Sequence, residues 1–104
     1  MSLPRNKHTD ELFESILLLK SVDECYKYFE DLCTVKEVQA FSQRLEVAKL
    51  LDKGSSYQQA VETTGVSSAT IGRVKHCLDY GAGGYGLILE RLKESGKENA
   101  DKQA

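Results

Sequence analysis

Apolar residues recur at steps of three and four along most of this chain, the period of one helical face, and no stretch alternates as a half-buried strand would. Leu12, Phe13, Ile16, Leu17 and Leu19 follow Thr9-Asp10-Glu11 and predict a first helix from about Thr9 to Lys20. A second, from about Val22 to Leu32, buries Val22, Tyr26 and Phe29, with Cys33 beside them. The third and longest runs from about Val35 to Lys53, carries the stripe Val38, Phe41, Leu45, Ala48 and Leu51, and ends at Gly54. Two short helices fill the stretch from Ser56 to Leu78, and a last one from about Tyr85 to Glu94 carries Leu87, Ile88, Leu89 and Leu92. Ser21 to Glu24, Thr34 to Glu37 and Ser56 to Gln59 all have the spacing of capping boxes, in which side chains satisfy the orphan amides of a helix start. The expectation is an all-α chain.

Residues 56–78 have a more particular pattern: a polar-started helix, a glycine turn and a second helix opened by two serines. That is the order of a helix-turn-helix, whose second helix is shaped for the DNA major groove. Ala60 is small where two backbones approach, Gly65 suits the turn, Val66 and Ile71 fill the wedge, and Ser67 caps the second helix. Ile71, Val74 and Leu78 then face inward while Ser68, Thr70, Arg73 and Lys75 face outward. An ordinary helical hairpin with the same turn and cap is the alternative.

Length and charge qualify this picture. With 104 residues, 40% of them hydrophobic, the chain suits one domain, taken as residues 1–94, followed by a disordered tail at 95–104. There is no apolar run long enough to span a membrane, and the polar N-terminus lacks the core of a signal peptide, so a cytoplasmic protein is expected. The odd count and wide spacing of Cys25, Cys33 and Cys77 argue for reduced, buried thiols and against a disulfide framework or metal site. The net charge of −2 is unlike a typical DNA binder, yet residues 42–76 carry +2 and the remainder −4, which singles out the helix-turn-helix as the face for phosphate. So many apolar helix faces in so small a chain predict a homodimer.

Gly81-Ala-Gly-Gly-Tyr-Gly86 matches G-x-G-x-x-G literally, but a helix rather than a strand precedes it, so it reads as a turn between helices and not as a dinucleotide site. His8 and His76 stand alone, and no catalytic constellation assembles. Neither an enzyme nor a cofactor is expected.

The run Gly65-Val-Ser-Ser-Ala-Thr-Ile-Gly-Arg73 resembles the tryptophan repressor superfamily, and Cys77 to Tyr85 resembles its YerC/YecD branch. The resemblance implies an intertwined all-helical dimer whose fourth and fifth helices meet double-stranded operator DNA. Tyr57, Gln58, Ser67, Ser68, Ala69, Thr70, Arg73 and Lys75 are the DNA-facing candidates; Ala69 and Thr70 match base-facing positions, while the family's basic residues near Tyr57 and Gln58 are absent. It also implies a candidate effector pocket at Thr34, Arg44 (or Gln43, if the chain is shortened inside the third helix), Arg73, Val74 and Cys77, with Arg73 matching the arginine that holds a corepressor carboxylate. Val74 replaces a glycine there and Cys77 a serine, which argues against tryptophan as the effector. The function expected is a sequence-specific transcriptional regulator, a repressor acting by promoter occlusion. The alternative is a protein–protein interaction module that keeps the fold without DNA binding.

Overall fold

The computed structural model describes residues 2–96, and within them every regular element is a helix. In chain order these are α1 (Lys7–Ile16), α2 (Val22–Leu32), α3 (Val35–Asp52), α4 (Tyr57–Thr64), α5 (Ser68–Tyr80) and α6 (Gly84–Ser95). Two compact units share the chain, one reaching Val38 and the other beginning at Gln39, so the division falls inside α3. The predicted tail at 95–104 lies outside the described residues except for Ser95, which ends α6, and Gly96, which caps it.

In the first unit, α1 starts and stops earlier than its apolar face suggests. Asn6, not Thr9, is the cap: its Oδ1 accepts the Thr9 amide at 2.9 Å and the Thr9 hydroxyl at 3.1 Å. Leu18 and Leu19 then donate to the carbonyls three residues back, tightening the chain beyond Ile16 into turns instead of continuing the helix to Lys20. Ser21 caps α2 by accepting the Glu24 amide at 3.1 Å, but the Glu24 carboxylate reaches past it to the Lys20 amide at 2.8 Å. Thr34 and Glu37 close a full box at the start of α3, with bonds of 3.1 and 2.8 Å.

Neither α1 nor α2 buries a single residue. Val22 and Tyr26, expected in a core, are about two-thirds exposed, and Leu17 is 82% exposed. The apolar faces read from the sequence are real, but two short helices within one unit lack the partner surface to cover them. The three cysteines are free, as expected, but not buried: Cys33 is half-buried, Cys25 is exposed on α2, and Cys77 is exposed on α5 in the second unit.

The second unit holds the core. Val47 and Ala48 of α3, Ala60 of α4, Val66 of the turn, Ile71 and Val74 of α5 and Leu89 of α6 form one buried cluster, with Leu50, Leu51, Val61, Leu78 and Tyr85 packed around it. Val47 is fully buried although it lies off the predicted stripe, whereas Phe41, which is on it, is half exposed. On α6 only Leu89 is buried, and Leu87 and Ile88 face out.

Candidate nucleic-acid interface

The helix-turn-helix is built locally before it is packed. Ser56 opens α4 with both halves of a capping box, its Oγ accepting the Gln59 amide at 3.1 Å and its own amide donating to Gln59 Oε1 at 2.8 Å. Gly65 ends α4 at φ +75, a left-handed conformation that a Cβ would strain, and its amide returns to the Val61 carbonyl at 2.8 Å. Thr64 Oγ1 donates to the Ala60 carbonyl at 2.7 Å and accepts the Val66 amide at 3.3 Å, so it ties the turn to the helix before it. Ser67 then caps α5, its Oγ accepting the Thr70 amide at 3.2 Å and donating to Thr70 Oγ1 at 3.2 Å.

Packing divides α5 cleanly. Ile71 is fully buried and Val74 is 3% exposed, both in the core. Ser68, Ala69 and Arg73 are exposed on the other side, and Thr70 and Lys75 are half-buried. Lys75 is not a solitary cation, because its Nζ lies 3.3 Å from Asp79 Oδ1. The i,i+4 spacing of these two residues is the signal for this pair in the sequence. One residue along, the His76 and Tyr80 rings lie 5.3 Å apart. On α4, Tyr57 is exposed and Gln58 Nε2 donates to Glu62 Oε1 at 3.2 Å. The DNA-facing candidates thus share one element pair, with the capped N-terminal turn of α5 at its centre.

The candidate effector residues are less coherent. Thr34 belongs to the first unit, where it caps α3. Arg44 is exposed on α3 with its guanidinium carbon 6.0 Å from the Phe41 ring centre, and Arg73 and Cys77 are exposed on α5. Val74 is a core residue rather than a pocket wall. None of these five lines the cavity of about 440 Å³ at Ser15, Leu19 and Tyr28 or the cleft of about 240 Å³ at Ser42, Glu46 and Thr63. Sequence reasoning missed Tyr85: half-buried beside Leu89, it has its phenol pushed above the ordinary tyrosine value by burial, with the Cys77 charge adding to the shift and Arg44 opposing it. The Tyr85–Leu89 spacing on an apolar face was the available signal. Among the described residues no cluster of His, Cys, Asp or Glu could hold a metal, and no helix is long and apolar enough to cross a membrane.

Residues 7–93 match the family model described as Trp repressor protein. The chain belongs to the Trp repressor family. That family is one of regulatory proteins rather than enzymes. Among relatives, YerC of Bacillus subtilis (strain 168), itself uncharacterised, is 50% identical over 98 residues, 94% of each chain. A Staphylococcus aureus structure provisionally assigned as a Trp repressor superposes with a TM-score of 0.83 at 47% identity, covering 86% of this chain and 89% of that one. A TrpR-like protein from Eubacterium eligens ATCC 27750 also gives 0.83, at 46% identity, covering 86% and 92%. The all-helical Trp-repressor-like fold expected from the sequence is therefore the fold of this chain.

Proposed function

We propose that the protein is a cytoplasmic, homodimeric, sequence-specific DNA-binding regulator that represses transcription by occluding a promoter, with residues 1–94 acting as one functional domain. The observation that carries this reading is the division of α5: a capped N-terminal turn exposes Ser68, Ala69 and Arg73 and half-exposes Thr70, while Ile71 and Val74 anchor the same helix in the core. A rigid, polar-faced helix start is what direct readout in a major groove requires. Arg73, Lys75 and Lys53 supply phosphate contacts, with Tyr57 and Gln58 alongside on α4. Dimerisation is supported by the uncovered apolar residues of α1 and α2, since single helices with such faces need a second copy to bury them.

No effector is required in this account. Val74 is committed to the core and Thr34 to a helix cap, which leaves Arg44, Arg73 and Cys77 exposed on α3 and α5. The net charge of −2 is the one observation favouring an interaction module instead. Selection of bound duplexes from a random DNA pool separates the two. A regulator enriches a two-fold related sequence whose binding weakens steeply with salt, and an interaction module enriches nothing.

A further inference from the structure

Helix α6 has a weak start. Gly83 caps it at φ +90 with no side-chain hydrogen bond, and Gly84 and Gly86 sit in its first turn, where each lowers helix propensity. The approach to it is constrained as well, because any side chain at Gly81 would run into the Cys77 carbonyl at the end of α5. What holds this start is tertiary: Leu89 is 3% exposed in the cluster that contains Ile71 and Val74 of α5, and Tyr85, one turn earlier, packs on the same cluster. Arg44 on α3 and Cys77 on α5 both lie within electrostatic reach of the Tyr85 phenol. A single ring on α6 therefore packs on the cluster that α3 and α5 share, Val47 and Ala48 from one and Ile71 and Val74 from the other.

We propose that Tyr85 is a positioning residue for DNA reading, an aromatic wedge supplied by the chain itself that fixes α5 against α3, so that the reading head is assembled without a small-molecule effector. This inference rests on the DNA-binding reading above. Arg44 and Cys77, two of the candidate effector residues, act electrostatically on a ring that is already part of the protein.

The test compares the full chain with Tyr85→Ala and Tyr85→Phe, reading affinity for a selected duplex, affinity for random duplex, and amide hydrogen exchange without DNA. Tyr85→Ala should lose about tenfold or more for the selected duplex while random duplex changes less than about twofold, since misplacing a helix spoils base contacts before phosphate contacts. Exchange should quicken from Ile71 to Leu78 and stay unchanged at Val47 and Ala48, and Tyr85→Phe should restore both readouts. If Tyr85→Ala does not fold by circular dichroism, Tyr85→Leu serves in the same comparison. Unchanged exchange in α5, equal loss for both duplexes, or a parent whose affinity rises when tryptophan or tyrosine is added would each overturn the proposal. A parent that binds no duplex overturns DNA reading itself, and the exchange data then still decide whether Tyr85 holds α5.

Discussion

Thr70→Ala removes one hydroxyl and one methyl group from the first turn of α5 while leaving its cap in place. Ser67 Oγ accepts the Thr70 amide and spends its own proton on Thr70 Oγ1, both at 3.2 Å. The proton of the Thr70 hydroxyl is thereby kept for a partner such as guanine N7 or O6 or thymine O4, with the γ-methyl beside it for a thymine methyl. One base contact of this kind is worth roughly 1–3 kcal/mol, or about 5- to 150-fold in affinity at a single base pair. The fold should hardly notice. The Ser67 hydroxyl is exposed and recovers water, and alanine is the better helix former by a few tenths of a kcal/mol, so the stability change should stay within about 0.5 kcal/mol. Anisotropy titrations against a selected duplex, with each base pair exchanged in turn, should show discrimination disappearing at one position and random duplex bound as before. Thr70→Ser should keep most of the hydrogen-bond share and lose the methyl share. Ser67→Ala provides the contrast, because losing the cap costs about 1 kcal/mol of stability and weakens all duplexes together. Full discrimination at every base pair in Thr70→Ala would refute the reasoning and remove the first turn of α5 from the interface.

Four further outcomes follow from the geometry. Lys75→Ala should weaken specific and random duplex alike and lower the salt slope by about one, and Asp79→Asn, which releases Lys75 from its 3.3 Å partner, should strengthen both; identical slopes in all three proteins would exclude Lys75 from phosphate contact. Calorimetric titration with tryptophan should be flat, and micromolar binding that tightens DNA affinity would show that Val74 leaves room for an indole. Sedimentation equilibrium at micromolar concentration should give a dimer, against which an 11.6 kDa species would stand as contradiction. The Thr34 amide and hydroxyl hold the Glu37 carboxyl below its ordinary value, so the cap stabilises α3 above the glutamate range and is lost as pH falls through it. Glu37→Gln should flatten that acid limb in a thermal-melt series, and an unchanged limb would remove the cap as its cause.

Local chemistry explains which parts were readable from the sequence. Ser56, Gly65 and Ser67 act through hydrogen bonds and dihedral angles spanning a few residues, so the helix-turn-helix was legible down to its caps. Asn6 displaced Thr9 because several polar residues near a helix start compete to cap it, and the winner depends on the approach of the chain. Burial was harder to read, since it depends on what lies opposite. Val47 is in the core and Phe41 half out of it because α4, α5 and α6 gather on the Val47 side of α3, and nothing in the stripe of α3 itself conveys that. Val22 and Tyr26 have no cover within their own unit. Tyr85 stands among glycines that match a loop motif, and its packing on the core depends on residues of α3 and α5 that the local sequence does not convey.

Binding of a duplex selected from a random pool, measured by anisotropy between about 50 and 200 mM salt, tests the central claim most directly. The account predicts saturable binding with a steep linear fall of log affinity against log salt, and chemical-shift changes on titration concentrated at Ser67 to Arg73. No binding at the lowest salt, or shifts confined to α1 and α2, would contradict it and leave the helix-turn-helix as a structural hairpin.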